Sequence, residues 1–148
     1  EGEGEAQALP DPEAPLAATV IKTSIDRYSG TLSMVRVVSG TLSGDGQILD
    51  ATTGQKLRLG KLLQPRGTEH GEVSQALPGE IVALAKLKDV HTGHSLSAEK
   101  GGVRLPEIHI PEGVLSYAIS AKSKGDEDKV HASLGRRVEE DPTPRLSR

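Results

Sequence analysis

The clearest pattern in the chain is an alternation of apolar and polar residues that begins at Ala17. The residues that share one face of this segment are Ala17, Thr19, Ile21, Thr23 and Ile25. A period of two is typical of a β-strand with one buried face. The next segment, Thr31–Ser39, carries apolar residues on both faces, which predicts a strand that is covered from two sides.

Further short β-like segments follow, with glycine at nearly every corner between them. The predicted strands are Gln47–Leu49, Lys56–Leu63, Val73–Leu77 and Ile81–Leu87. Strands this short, at this spacing, predict an all-β fold that is a small closed antiparallel barrel. The expected structural corners, where glycine tolerates positive φ, are Gly30, Gly40, Gly79 and Gly93. The residues expected in the core are Ile21, Ile25, Val35, Val37, Leu57, Leu59, Ile81 and Ala83.

The two ends of the chain differ from this middle part, which we assign to residues 15–101. Residues 1–14 are rich in Glu, Gly, Ala and Pro and show no periodicity, which predicts a disordered lead or linker. Residues 102–148 contain an extended stretch, a second β-like segment at Val114–Ala121, and a helix from Asp126 to about Glu140. One strand and one helix cannot close a core, so this last region is predicted to be the start of another domain.

Two features mark the predicted helix. Acidic residues crowd its start, where the helix dipole and capping favour them, and an i, i+4, i+8 apolar stripe runs along it. The stripe consists of Val130, Leu134 and Val138.

Composition narrows the possible functions. Cysteine is absent, which excludes disulfides and thiolate metal sites and fits a reducing cytoplasm. No apolar run is long enough to span a bilayer, and no signal peptide is visible. The chain contains two Tyr and no Phe or Trp, so nucleic-acid binding through stacked aromatic rings is not expected. The net charge of −3 is uneven: residues 16–100 carry ten Lys or Arg against eight Asp or Glu.

Several short phrases, taken in order, resemble a known family. Gly30–Leu42 (GTLSMVRVVSGTL) and Gly79–Asp89 (GEIVALAKLKD) resemble the second domain of translational GTPases of the elongation factor G type. Ile119–Lys129 and Glu139–Thr143 resemble the start of the third domain of those proteins, and the match covers residues 14–143 in all. In that family the third domain is a ferredoxin-like unit, of which this chain would hold the first strand and helix.

The chain also departs from the family pattern at three places. His94 stands where the family usually carries an acid after a Thr-Gly pair, Gln64–His70 replaces the usual phrase, and Ala85–Lys88 stands where Gly-Leu-Lys is commoner. These departures are more similar to the elongation-factor-G-like paralogues than to the housekeeping translocase.

The resemblance implies a non-catalytic barrel that docks on RNA of the small ribosomal subunit and relays the nucleotide state of a neighbouring G domain. Its partners would be that RNA, its own G domain and its own third domain, with no DNA and no membrane. The location would be cytoplasmic. No cofactor is expected within this chain, because GTP and Mg²⁺ would bind the G domain of the parent GTPase. The sequence itself contains neither a phosphate-binding P-loop nor an Asn-Lys-x-Asp signature.

Candidate site residues are few. The RNA-contact candidates, which such a barrel would use to position itself on phosphates, are Lys56, Arg58, Lys61 and Arg66. A solvated barrel exterior explains the same charges, and two other functions stay open: a protein-binding barrel without an RNA partner, and a small hydrolytic enzyme. His91 and His94 lack a third nearby ligand and are expected to face solvent in a loop, so no metal site is predicted.

Overall fold

In the computed structural model of the chain, residues 9–26, 30–67, 69–100 and 102–147 are described. The strands in these ranges are β1 (Ala17–Asp26), β2 (Gly30–Ser39), β3 (Leu42–Ser43), β4 (Gln47–Asp50), β5 (Gln55–Arg58), β6 (Leu62–Arg66), β7 (Glu69–Val73), β8 (Gln75–Ala76), β9 (Ile81–Ala85) and β10 (Ser95–Ser97). A 3₁₀ turn (Lys124–Asp126) leads into the helix α1 (Glu127–Glu140). The chain divides into two compact units, Glu1–Glu107 and Ile108–Arg148.

All strand pairs in the first unit are antiparallel. Eight strands form one sheet in the order β5-β4-β10-β1-β2-β9-β6-β7, and β3 pairs with β8. The chain passes from β5 to β6 through Leu59–Lys61 alone, so strands at opposite ends of the sheet lie close together. Backbone bonds from Asp45 N to the Gly60 carbonyl (3.1 Å) and from Leu59 N to the Gly46 carbonyl (2.9 Å) fix this link. The prediction of a small antiparallel barrel is confirmed.

The barrel interior is filled by aliphatic side chains, as the shortage of aromatic residues requires. The buried residues of the core cluster are Leu16, Ala18, Val20, Val35, Val37, Leu42, Ile48, Leu57, Leu59, Leu62, Ala76, Val82, Leu84, Leu87, Val90 and Leu96. Each fully buried Val or Leu contributes about 1.5–3 kcal/mol relative to exposure, so stability rests on many modest contributions.

The predicted inward face of β1 is wrong at Ile21 and Ile25, which are only half-buried. At Ile21 the cause is a β-bulge: Val20 pairs with Val35 and Lys22 pairs with Met34, which leaves Ile21 as the extra residue. Ile25 lies on the same side as Thr23 but next to the last residue of β1, Asp26, where it is only half-buried. A bulge shifts the alternation by one residue, so Val20 and then Thr23 point inward. No feature of the alternating pattern marks the bulge in advance.

Ile81 was expected inside and is also wrong, since 43% of it is exposed. It lies opposite Arg36 on the outer side of β9, while Val82 and Leu84 point inward. Three further strand boundaries differ. The predicted strand Val73–Leu77 is divided between the end of β7 at Val73 and β8 (Gln75–Ala76). The predicted strand Lys56–Leu63 is interrupted by the link Leu59–Lys61, and Ile81–Leu87 ends at Ala85, where Lys86 adopts a positive φ of 59°.

Part of the predicted disordered lead packs on the barrel. Gly40 N donates to the Asp11 carbonyl (2.9 Å), and Thr41 Oγ1 donates to the Pro12 carbonyl (3.0 Å). A Cβ at Gly40 would lie 2.6 Å from the Ala14 carbonyl oxygen, and its φ is 71°. Only glycine fits there, because both the conformation and the contact exclude a side chain. Positions 1–8 lie outside the described residues.

The other predicted glycine corners have positive φ as well: 75° at Gly30, 91° at Gly79 and 94° at Gly93.

The chain leaves the barrel across the outer side of β10. Leu105 N donates to Ser95 Oγ (2.9 Å), and a Cβ at Gly102 would lie 2.5 Å from Ser97 Cβ. This close cover explains why Ser95 and Ser97 are buried although the barrel interior is apolar.

The second unit contains helix α1, as predicted, but no strand over Val114–Ala121 within its described residues. A strand requires a ladder of hydrogen bonds to a neighbour, and this segment has none. The prediction of a strand over Val114–Ala121 is therefore wrong, because this segment pairs with no other strand in the described residues. Its large apolar side chains are exposed, with Val114 at 93%.

The acidic start of α1 also differs in detail from the capping expectation. The Asp126 carboxylate makes no capping bond to the helix backbone; it accepts from Ser123 Oγ (2.7 Å) and Lys129 Nζ (2.8 Å) instead. Bonds from Lys129 and Ser123 lower the pKa of Asp126. Within the described residues, no helix is long and apolar enough to cross a membrane.

Candidate nucleic-acid interface

Two of the four candidate cations lie on the outer side of β5. Leu57 is buried and faces Ile48 on β4, so its neighbours Lys56 and Arg58 point away from the core. Lys56 Nζ lies 3.2 Å from a carboxylate oxygen of Glu99, and 69% of the lysine side chain is exposed. An exposed pair of this kind leaves the lysine free to exchange partners, because such bridges are worth about 0–1 kcal/mol.

The other two candidates follow the β5–β6 link. Lys61 Nζ lies 2.7 and 2.8 Å from the two carboxylate oxygens of Glu72, and this partner raises the pKa of Lys61. Arg66 Nη2 donates to Gln64 Oε1 (3.0 Å) at the end of β6. Lys61 and Arg66 are five residues apart along an extended segment, which spans about 17 Å.

The structure therefore places the four cations along one continuous stretch of chain but does not gather them into a pocket. Arg58 differs from the other three, because no ion pair or hydrogen bond engages its side chain among the described residues. An unengaged guanidinium on an outer strand position is available to a phosphate, which it can bind with two parallel hydrogen bonds.

A buried polar cluster that the sequence did not predict lies where the turn after β4 meets β10. Asp50 is 1% exposed, and its Oδ2 lies 2.8 Å from His94 Nδ1. Its Oδ1 accepts the backbone N–H groups of Thr52 (2.9 Å) and Thr53 (3.3 Å). Thr52 Oγ1 in turn accepts from Ser95 N (2.9 Å). One carboxylate thus ties together two loops that are 44 residues apart in sequence.

The pKa of Asp50 reflects these contacts. Burial alone would raise it, but the bond to His94 and the bonds from Thr52 and Thr53 outweigh burial and lower the pKa of Asp50. The carboxylate is therefore ionised at neutral pH, and it acts as a structural acceptor.

The expectation that both loop histidines face solvent is wrong for His94. Only 16% of its side chain is exposed, and it contacts both Asp50 and the ring of His91, whose centroid lies 5.4 Å away at 83°. His91 is exposed, as expected. No group of three or more potential metal ligands occurs in the part of the chain that the structure describes. The signal that could have found this cluster was the unusual histidine after Thr92-Gly93.

Comparison with known proteins gives the same family for both parts of the chain. The family model described as "Elongation factor G domain 2" matches residues 15–99, and "Elongation Factor G, domain III" matches residues 110–148. Elongation factor G 1 of Synechocystis sp. is 40% identical over 136 residues, which are 92% of this chain and 19% of that protein.

A crystal structure of a protein from Thermus thermophilus superposes with a TM-score of 0.80 at 25% identity, covering 92% of this chain and 21% of the other. The chain thus spans about one fifth of the length of each of these two proteins.

Proposed function

We propose a docking function for the barrel from one premise: this chain belongs to the elongation factor G family of translation factors. The matched regions are domain 2 and domain III of that family. In our proposal the barrel rests on RNA of the small ribosomal subunit during protein synthesis. It relays the nucleotide state of the parent protein's G domain, which it contacts together with the third domain.

One observation carries the proposal beyond the family. Exposed cations line the outside of the barrel from β5 through the link to β6, with Arg58 unengaged among the described residues. Lys56, Arg58, Lys61 and Arg66 would position the barrel on phosphates without reading bases, since lysine and arginine form sequence-independent contacts to the backbone.

The chemistry of the parent protein is assigned to another domain. In this proposal the barrel is non-catalytic, GTP and Mg²⁺ bind the G domain of a parent GTPase, and the protein works in the cytoplasm. Of the polar clusters in the described residues, the Asp50–His94 pair is the one that resembles an acid–base arrangement. It is explained by its hydrogen bonds to two loops.

A second candidate is a protein-binding barrel without an RNA partner. It is favoured by the internal partners of three of the cations: Glu99, Glu72 and Gln64. A phosphate must compete with these groups, whereas an acidic protein surface could use Arg58 alone.

Sedimentation of the 148-residue chain with purified small ribosomal subunits tests the proposal. We expect binding that weakens steeply as salt rises, because phosphate contacts release counterions. The variant Arg58→Gln should lower both the affinity and the salt dependence. Lys122→Gln in the second unit removes one exposed charge elsewhere and serves as the control. Absence of binding at low salt, or equal effects of both variants, would refute the docking function.

A further inference from the structure

The turn before β10 brings two histidine side chains together. His94 N donates to the His91 carbonyl (3.1 Å), which closes a β-turn, and Gly93 at its third position has a φ of 94°. This combination is typical of a type II turn, whose first and fourth Cα atoms lie less than about 7 Å apart. The two histidines occupy these first and fourth positions, and their ring centroids are 5.4 Å apart. We call His91 and His94 the histidine pair.

Strand β1 holds this turn in place. Gly93 N donates to the Val20 carbonyl (2.8 Å), and the His94 carbonyl accepts Val20 N (2.9 Å). Thr92 Oγ1 lies 3.3 Å from Thr23 Oγ1, and Thr23 is fully buried. Because three contacts fix the turn to one strand, the backbone positions of the histidine pair are set by the barrel.

Buried Asp50 sets the orientation of one of the two rings. Its Oδ2 lies 2.8 Å from His94 Nδ1, and an ionised carboxylate can only accept a hydrogen bond. His94 Nδ1 therefore carries the proton, and Nε2 of the neutral ring keeps its lone pair. Among the described residues, no hydrogen bond engages this Nε2. A carboxylate that binds one ring nitrogen while the other is left open is the usual setting of a metal-ligating histidine.

The spacing of the two rings suits a single metal ion. An imidazole nitrogen lies about 2.0–2.1 Å from Zn²⁺, so two rings on one tetrahedral ion have their centroids about 5 Å apart. The observed separation is 5.4 Å. The angle of 83° between the rings does not oppose this arrangement, because each ring can rotate about its nitrogen–metal bond. His91 is exposed, so its side chain can adjust.

The sequence alone predicts no metal site here, because a third protein ligand is missing. The structure agrees on that count, since the described residues contain no group of three or more potential ligands. It adds the buried carboxylate and the turn, which together prepare two ligands, and water can fill the other positions. Imidazole favours Zn²⁺, Cu²⁺ and Ni²⁺, whereas Ca²⁺ and Mg²⁺ prefer oxygen ligands.

We propose that the histidine pair binds one late transition-metal ion of the Zn²⁺ class through its ring nitrogens. Water completes the coordination, and Asp50 is a positioning residue that acts through His94. The site includes none of the four candidate cations, so the inference is independent of the docking function. The ion would join a turn that is bonded both to β1 and, through Asp50, to the turn after β4, so its binding should stabilise the barrel.

Calorimetric titration of the 148-residue chain with ZnCl₂ at neutral pH tests the proposal, and one saturable site is expected. His91→Ala removes a ligand whose side chain is exposed, and it should weaken the affinity at least about tenfold. The matched control is His131→Ala, which removes an exposed histidine from α1 and should leave the affinity unchanged. Zn²⁺ should raise the melting temperature of the wild type and of this control, but not that of His91→Ala.

Asp50→Asn tests the positioning role, because it keeps both histidines. Its amide NH₂ would donate to His94 Nδ1, which moves the ring proton to Nε2 and removes the lone pair that binds the ion. The affinity should fall about 10–100-fold. Circular dichroism melting establishes the temperature at which each variant is still folded, and the titrations are compared at that temperature.

Electron paramagnetic resonance of the Cu²⁺-loaded chain counts the ligands directly. The nitrogen hyperfine pattern should show two imidazole nitrogens in the wild type and one in His91→Ala. In folded Asp50→Asn the pattern should also lose one nitrogen. A merely structural role of Asp50 would leave the spectrum of the folded variant identical to that of the wild type.

The outcomes are distinct from those of the docking experiment. Absence of saturable Zn²⁺ binding by the wild type, or equal affinities of the wild type and His91→Ala, overturns the site. An equal loss in His131→Ala places the ion outside the histidine pair and also overturns it. Binding that needs His91 but is unchanged in folded Asp50→Asn overturns the positioning role of Asp50. None of these results alters the expectation for Arg58→Gln on the small subunit.

Discussion

Replacing Asp50 by asparagine removes the charge of the buried cluster with almost no change in shape. In the wild type, the carboxylate accepts two backbone N–H groups and contacts His94 Nδ1 at 2.8 Å. The amide of the variant can keep its oxygen toward Thr52 and Thr53, but its NH₂ then faces the histidine. The histidine can accept this bond only as the tautomer without a proton on Nδ1. The variant therefore retains the packing and loses the charge-assisted part of three hydrogen bonds.

The magnitude follows from burial. A hydrogen bond to a charged group contributes about 1.5–3 kcal/mol and a neutral one about 0.5–1.5. Asp50 is 1% exposed, so solvent screening reduces this difference little. Allowing for the non-additivity of bonds to one group, we expect Asp50→Asn to lower the free energy of unfolding by about 2–3 kcal/mol at neutral pH.

The sign of the pH dependence is also defined. The folded state lowers the pKa of Asp50 from its ordinary value of 3.8. The stabilisation is therefore fully present above that ordinary value and is lost as the pH falls through the folded-state pKa. The difference between wild type and Asp50→Asn should be constant at neutral pH and shrink below pH 3.8.

Urea unfolding followed by far-ultraviolet circular dichroism at neutral and acidic pH measures both quantities. The matched control is Asp45→Asn, an exposed aspartate with φ of 57°, a conformation that asparagine also tolerates. The control should change stability by less than about 0.5 kcal/mol. If Asp50→Asn is equally mild, or if its effect persists unchanged well below pH 3.8, the cluster does not stabilise the barrel through its charge.

Three further predictions concern other parts of the chain. Gly40→Ala should lower the free energy of unfolding by about 3 kcal/mol or more. Gly54→Ala, with φ of 78° but open space around it, should lower it by only about 1–2 kcal/mol. Equal losses in urea unfolding would contradict the contact of Gly40 with Ala14. Calorimetric titration of the 148-residue chain with GTP or GDP should show no saturable binding, and a micromolar constant would refute the assignment of nucleotide chemistry to another domain. In hydrogen exchange, the amides of α1 should be far less protected than those of Val35 and Val82, because the helix has no buried residue. Comparable protection in a monomer would show that the apolar stripe of the helix is stably packed.

The barrel could be predicted from the sequence because alternation and glycine corners indicate most strands of the main sheet; β10 lies outside the predicted segments, and β7 overlaps one of them only at Val73. The alternation does not show which residues of a strand face the core. The bulge at Ile21 reverses the face of everything after it in β1, and the pattern Ala-Thr-Ile-Thr-Ile reads equally well without it. Ile81 shows the same limit, since all five residues of β9 are apolar and do not reveal which of them face the core.

Contacts between distant parts of the chain could not be predicted from the sequence, for a different reason. Asp50 and His94 are 44 residues apart, and nothing in either neighbourhood indicates that the turn after β4 closes on β10. The sequence identifies the four candidate cations but not which of them are paired. The acids Glu99 and Glu72, which pair with Lys56 and Lys61, come from other strands or loops. Charge in a sequence shows how many cations exist, and only the fold shows which of them are unpaired.

The departure at His94 now has a physical explanation. An acid at position 94, which the family resemblance implies, would bring a second carboxylate close to buried Asp50, where two like charges repel each other. A histidine removes that conflict and adds a hydrogen bond of 2.8 Å. The same residue also supports the sheet through its backbone, since its carbonyl accepts Val20 N (2.9 Å) beside the bulge of β1. His94 therefore couples the turn after β4 to the strand that carries Lys22. His94 thus supports both the buried cluster and strand β1.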